Sequence, residues 1–298
     1  MRSVPALMAC PTCQRRSALL AALAPAISRL SFTRHGLLAL LALGDEQLLR
    51  AAKVEDLGLL MRRLQPLRPC ESVPTALCRH DTGYPLALAQ LPSAPAVLYA
   101  SCPTERLRHL LGAPTVAIVG SRTPTDYARQ LSSELAHDLA AAGVTLVSGM
   151  NTGLEGSVHQ SALQAGANNV AVMPGAPDIA FPSEYESLQQ EILARGAAVS
   201  ELPPESRPHP WTFIASQRMI AALAGLIVVI EAGDRSCGLF TAQIAADLGA
   251  EVGVVPGRLS DPGGDRMFAL LRDGAHPISC AQDALELIDA GRHMRAVA

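Results

Sequence analysis

The chain has no long apolar run, no paired set of cysteines, and no excess of positive charge over most of its 298 residues. The densest apolar stretch, Leu37–Leu43, falls far short of the roughly 20 residues that a membrane helix needs. Leu7-Met8-Ala9-Cys10 has the look of a lipoprotein cleavage site, yet the apolar segment before it is too short for a signal peptide, so the expected location is cytoplasmic. Seven scattered cysteines, an odd number, argue against a disulfide framework. Cys10 and Cys13 are the one pair at metal-ligand spacing. Zinc takes about four ligands, and Cys70, Cys78, His80 and Cys102 offer no second tight pair, so the cysteines read as reduced structural thiols and no metal or cofactor is expected.

The net charge of −3 hides an asymmetry. Residues 1–80 carry 11 Lys+Arg against 5 Asp+Glu, whereas residues 81–298 carry 13 against 22. A broad basic surface for duplex DNA is therefore missing from the larger part, and any nucleic-acid contact there has to be a local arginine cluster. The single lysine, Lys53, reflects a bias toward arginine that carries no functional weight. What the chain does have is core-forming material: 49% hydrophobic and 17% charged residues exclude a disordered chain.

The pattern of that material is strand, helix, strand. Val116–Val119 is a buried-strand run ending in Gly120, Pro124 and Asp126 open an amphipathic segment with Leu131, Leu135 and Leu139 on one face, and Val144–Val147 is a second strand ending in Ser148-Gly149. The alternation continues with strands at Asn169–Met173, Ala197–Ser200, Leu226–Ile230 and Glu251–Val255. Helices are expected at Ser157–Ala165, from a Ser183/Glu186 capping box through Leu193, and at Phe213–Ala224, Phe240–Leu248, Met267–Asp273 and Ala281–Ile288. Such spacing predicts an α/β fold, a Rossmann-like doubly wound parallel sheet whose ligand loops lie at the carboxyl edge. Ahead of it, Gln14–Leu30 (interrupted near Pro25), His35–Leu43 and Glu46–Leu64 read as helices, and the proline-rich stretch 65–95 as a linker. Val97–Ala100 is then the first, edge strand. The expected division is a small helical N-terminal region with linker, 1–80, and the Rossmann-like domain, 81–298.

Three loops carry the candidate chemistry. Gly120-Ser121-Arg122 joins a close-approach glycine, a helix start with backbone donors, and a guanidinium able to pair bidentately with phosphate. Ser148-Gly149, Asn151, Thr152 and Gly153 form the second loop, and Ser236, Gly238 and Thr241 the third. Gln217 and Arg218 precede the strand at 226, with Trp211 and Phe213 nearby as rings that either stack on bases or pack the core. Cys237 reads as a plain loop cysteine, and His159 as a buried orienting residue although Glu155 lies one helical turn away.

G-S-R at 120–122, S-G-x-x-x-G at 148–153, His159, R-M-I-A-A-L at 218–223, Ser236–Ala242, Pro256-Gly257 and Gly274-Ala275 together resemble the DNA processing protein A (Smf/DprA) family across about residues 84–277. The resemblance implies a protein that is not an enzyme and has no catalytic residue. It would bind single-stranded DNA, load the recombinase RecA during natural transformation, and form a homodimer. Gly120, Ser121, Arg122, Ser148, Gly149, Asn151, Thr152, Gly153, Phe213, Gln217, Arg218, Ser236, Gly238 and Thr241 would then line the DNA site. No segment of winged-helix size follows the sheet, so the match is to a form without that C-terminal domain. Thr152 and Ser216 stand where the family has basic residues, and Glu155 where it has aspartate. At about 1.5–3 kcal/mol per charged contact, two lost cations would lower affinity by orders of magnitude. Two alternatives stay open: a nucleotide-binding or nucleoside-monophosphate-cleaving Rossmann-like enzyme, suggested by the likeness of Pro262-Gly263-Gly264 to a phosphate-binding loop, and a degenerate paralogue acting as an interaction module.

Overall fold

The computed structural model describes residues 9–54, 60, 71–233, 236–258 and 263–297. The chain packs into two compact units, one made of residues up to 108 with 173–181 and 198–216, the other of 109–172, 182–197 and 217–298. Among the described residues, no helix is long and apolar enough to cross a membrane.

The first unit begins with three helices, α1 (Pro11–Ser28), α2 (Arg34–Ala42) and α3 (Asp45–Ala51). Leu19, Leu20, Leu23 and Ile27 of α1 bury one face against Leu37, Leu41, Leu48 and Trp211. That packing carries α1 straight through Pro25, where an interruption was expected, against a cost of about 3 kcal/mol for an interior proline. By contrast α3 stops early. Lys53 has φ 50°, so the expected helix over Glu46–Leu64 ends at Ala51, and residues 55–59 and 61–64 lie outside the described set.

Thr75–Cys78 is a fully buried strand, β1, inside the stretch read as a linker. It pairs antiparallel with β2 (Val97–Ala100), Cys78 opposite Val97, and β2 pairs antiparallel with β6 (Ala197–Ser200). So β2 is flanked on both sides and is not the edge expected of it. The short helix α4 (Leu86–Ala89) lies between β1 and β2, and α5 (Thr104–Gly112) follows β2.

The second unit is the parallel sheet. In chain order it comprises β3 (Thr115–Val119), α6 (Asp126–Ala141), β4 (Thr145–Gly149), α7 (Leu154–Gln164), β5 (Asn169–Val172) and α8 (Glu186–Arg195). The helix α9 (Pro210–Leu223) leads to β7 (Leu226–Val229), and α10 (Cys237–Asp247), β8 (Glu251–Val254), α11 (Gly264–Arg272), β9 (His276–Pro277) and α12 (Ala281–Val297) complete the chain. A single 3₁₀ turn, Ser183–Tyr185, leads into α8, and no side chain caps either element, so the expected Ser183/Glu186 box does not form.

Strand order in this unit is β5-β4-β3-β7-β8-β9, every pair parallel. Val116 and Ile118 of β3, Leu146 of β4 and Leu226 and Val228 of β7 enter one core with Leu135 and Leu139 of α6, Val158 and Ala162 of α7, and Ile288 of α12. Side chains alternate along a strand, so Ala117, Val119, Ile227 and Val229 point to the other face. There α10 lies against β3, β7 and β8, burying Phe240 and Ile244. From β3 the chain proceeds outward to β4 and β5, and from β7 outward in the opposite direction to β8 and β9. The reversal falls between β3 and β7, and the crevice outside their carboxyl ends is where doubly wound sheets bind ligands.

Candidate functional site

Three connections meet at that switch point. After β3 comes Gly120, where a Cβ would overlap the Leu154 side chain and sit 3.0 Å from the Glu231 carbonyl oxygen, so only glycine fits. After β4 the chain reaches Gly153 with φ 89°, and a Cβ there would lie 2.5 Å from the Arg122 carbonyl oxygen and 2.6 Å from that of Ser121. The Leu154 N–H donates to the Ser121 carbonyl at 3.1 Å, locking the first two loops together. At the third, the start of α10, a Cβ on Gly238 would be 3.4 Å from the Gly120 nitrogen, so this helix start abuts the first loop. Ser236 caps α10, its Oγ accepting from the Gly238 N–H at 3.0 Å.

The second loop is held from below by buried polar groups. Glu155 is 4% exposed, and its Oε2 accepts from the Asn151 N–H at 2.9 Å and from Asn151 Nδ2 at 2.7 Å. Burial pushes its carboxyl above the ordinary range, against the Asn151 donors and the Arg122 charge, which pull it down. His159 is fully buried, with Nε2 2.9 Å from the Gly149 carbonyl oxygen and Nδ1 2.6 Å from Asn169 Oδ1. Burial drives its pKa down and these acceptors oppose the shift. Both residues brace the loop and neither is presented to a substrate, which removes the geometric basis for an acid–base pair. Of the phosphate-loop resemblance at 262–264, Pro262 lies outside the described residues, and Gly263 is the left-handed N-cap of α11.

The expected site residues divide by exposure. Arg122 and Thr152 are exposed, and Ser121, Gly153 and Ser236 half-buried. Ser121 Oγ accepts from the Thr123 N–H at 3.1 Å. Gly120, Gly149, Asn151, Gly238 and Thr241 are buried beneath them. Ser148 is buried too, its hydroxyl donating to the Ile118 carbonyl at 2.9 Å. Gln217 and Arg218 are 0% and 1% exposed. Thr241 Oγ1 donates to Gln217 Oε1 at 2.6 Å, and Arg218 is engaged within the protein. Arg218 is therefore buried where an exposed phosphate grip was expected. Phe213 and Trp211 belong to the first unit: Phe213 packs edge-on against Phe181 with centroids 5.2 Å apart, and Trp211 is fully buried, its Nε1 donating to the Ala24 carbonyl. Ser216 is buried with its hydroxyl on the Phe213 carbonyl, so the missing cation at that position is a change of packing, whereas the one at Thr152 is a change of surface charge.

Three residues at this edge carry no signal in the sequence motifs. Glu231, just past β7, accepts from the Thr125 N–H and, at 2.7 Å, from the Thr125 hydroxyl, so the start of α6 already holds a carboxylate. Tyr127, in the first turn of α6, is 47% exposed, a large ring facing solvent. The Arg258 guanidinium, beyond β8, lies 5.8 Å from its centroid, within cation–π range. The exposure of Tyr127 and the partners of Glu231 and Arg258 depend on tertiary placement, which no motif records.

Residues 75–289 match the family model described as DNA recombination-mediator protein A. DNA processing protein DprA of Bacillus subtilis is 32% identical over 203 residues, 68% of this chain and 67% of that protein. A putative DNA processing protein DprA of Mycobacterium tuberculosis is 37% identical over 196 residues, and the match spans 65% of this chain but half of that relative's length. The fold is similar to that of DprA from Streptococcus pneumoniae, with TM-score 0.68 and 24% identity over 92% of this chain and 93% of that one. It is also similar to DNA processing protein A from Helicobacter pylori, whose structure is described for its single-stranded DNA binding mode, with TM-score 0.61 and 28% identity over 69% and 91%.

Proposed function

The chain belongs to the DNA recombination-mediator protein A family, and from that premise we propose that it binds single-stranded DNA at the carboxyl edge of β3, β4 and β7. Its role is that of a DNA-processing recombination mediator, not an enzyme. The observation that carries the reading is the convergence of three interlocked loops at the switch point with Arg122 and Tyr127 left exposed on top of them.

Arg122 supplies the phosphate contact, as a fixed fork on a rigid loop. Tyr127 offers a ring on which a base stacks, with Arg258 above it, and unpaired bases alone can reach such a platform. The Thr152 and Ser121 hydroxyls add uncharged donors to the backbone. Gly120, Ser148, Gly149, Asn151, Gly153, Gln217, Arg218, Gly238 and Thr241 serve by holding the loops at contact distance, and Ser236 by fixing the start of α10. The family resemblance supports three further parts of the proposal: delivery of the bound strand to RecA, a homodimer formed through the parallel-sheet unit, and a cytoplasmic setting.

Fluorescence anisotropy of one labelled oligonucleotide, single-stranded and then annealed, tests the proposal. Preferential, salt-sensitive binding of the single strand supports it. Equal or absent binding of both at low salt overturns it.

A further inference from the structure

Cys10, Cys13, Cys78 and His80 sit far from one another in sequence as two tight pairs, Cys-x-x-Cys and Cys-x-His, and the first unit brings them together. One ligand atom from each lies within 4.8 Å of the other three. The backbone explains how. The start of α1 places Cys10 as the N-cap and Cys13 in the first turn. The turn after β1 closes with the Asp81 N–H on the Cys78 carbonyl and the Cys78 N–H on Asp81 Oδ2, which swings His80 back toward Cys78. An Ala9 N–H to Ala76 carbonyl bond, 3.0 Å, ties the two segments side by side.

The distances are those of a coordination sphere. Cys10 Sγ and Cys13 Sγ are each 3.5 Å from His80 Nδ1, and Cys78 Sγ is 3.6 Å from it. A tetrahedral zinc with Zn–S near 2.3 Å and Zn–N near 2.0–2.1 Å separates its sulfur and nitrogen ligands by about 3.5–3.6 Å. Hydrogen bonding does not account for the arrangement, because a ring nitrogen has one proton or one lone pair and cannot satisfy three thiols. A Cys10–Cys13 disulfide would leave Cys78 and His80 unexplained, and all three cysteines are free. Backbone N–H groups also point at the sulfurs: that of Cys10 at Cys78 Sγ, 3.4 Å away, and that of Cys13 at Cys10. Such donors orient and stabilise metal-bound thiolates.

We propose that Cys10, Cys13, Cys78 and His80 form a structural zinc site of the Cys₃His type. Four protein ligands close the coordination sphere, so the ion has no open position for catalysis. Its effect is to clip the start of α1 to the end of β1, closing the loop of α1–α3 and fixing the edge strand of the antiparallel group. Cys102, buried elsewhere, and Cys280, exposed, lie outside the cluster and serve as internal controls.

The test uses the full chain purified under reducing conditions without chelator. Zinc by plasma mass spectrometry at about one per chain is expected, with cobalt exchange giving the intense visible bands and thiolate charge-transfer absorption of a tetrahedral site. His80→Ala should lose most of the zinc, Cys102→Ser and Cys280→Ser none. His80→Cys should retain the metal and add thiolate charge-transfer intensity, so the assignment stays testable even if the alanine variant folds poorly. Wild-type protein free of zinc and giving no cobalt bands would overturn the proposal. So would a Cys10–Cys13 disulfide in the isolated protein, or His80→Ala retaining full zinc with an unchanged cobalt spectrum.

Discussion

The interlock of the first two loops predicts that Gly153→Ala is costly in a way that a second glycine at similar φ is not. Gly153 (φ 89°) and Gly143 (φ 81°) both occupy backbone that L-residues avoid, but nothing lies within 4 Å of a Cβ built at Gly143. Gly143→Ala should therefore cost only the backbone penalty, about 1–2 kcal/mol. At Gly153 the Cβ meets carbonyl oxygens of Ser121 and Arg122 at 2.5–2.6 Å, main-chain atoms that no rotamer change moves aside. The penalty for a conformation with ψ −133° is about 1–3 kcal/mol, and overpacking adds about 1–3 more. A difference of about 2 kcal/mol between the two variants follows, roughly 4–8 °C in melting temperature at this size. Differential scanning calorimetry of both variants measures it. Because relief of the clash pushes the Ser121–Arg122 backbone outward, Gly153→Ala should also weaken single-strand binding while Gly143→Ala leaves it intact. If the two variants melt together and bind DNA alike, the interlock argument is wrong.

Three further outcomes are expected. Tyr127→Ala should weaken single-strand binding by about 1–3 kcal/mol, the worth of one stacked base, while Tyr127→Phe stays near wild type; equal losses in both would remove stacking from the account. Thr152→Arg, at an exposed position where the family has a cation, should tighten binding and steepen the salt dependence by about 0.7 in log–log slope, and an unchanged slope in an anisotropy titration would count against that loop as a contact. Glu155→Gln tests the buried carboxyl. Burial raises its pKa in the folded state, so the stability it contributes is present below the unfolded value of about 4.3 and is lost as pH rises through the folded value. A glutamine whose amide oxygen takes the place of Oε2 still accepts both Asn151 donors and lacks that loss. In urea unfolding the variant should gain on wild type as pH rises above about 4.3, and a gap that stays constant would refute the assignment.

Much of the second unit was legible because three of its strands are short runs dominated by Val, Leu and Ile, with a glycine shortly after each. Val116–Val119, Val144–Val147 and Leu226–Ile230 announced β3, β4 and β7, and with them the loops of the site. The first unit was harder. Thr75-Ala76-Leu77-Cys78 holds no Val or Ile and lies within a proline-rich stretch, and its pairing with Val97–Ala100 is what makes it a strand. Motif spacing picked out Arg218 as a phosphate grip but could not show that it is buried, since nothing local distinguishes a buried arginine from an exposed one. Glu231 and Arg258 act through partners more than a hundred residues away in sequence. Cys78 and His80 stood in the sequence as isolated candidates, and only the pairing of the start of α1 with β1 brings them to Cys10 and Cys13.

Single-strand binding at the carboxyl edge of the sheet turns on Arg122 gripping the phosphate backbone. Measuring log K against log salt for wild type, Arg122→Ala and Arg272→Ala tests it most directly. Arg272 is exposed at the far end of α11, the end that leads the chain back to the amino edge of the sheet, and serves as a charge-matched control. Arg122→Ala should lower affinity by about 1.5–3 kcal/mol and flatten the slope by about 0.7, and Arg272→Ala should do neither. Parallel salt lines for all three proteins would contradict it.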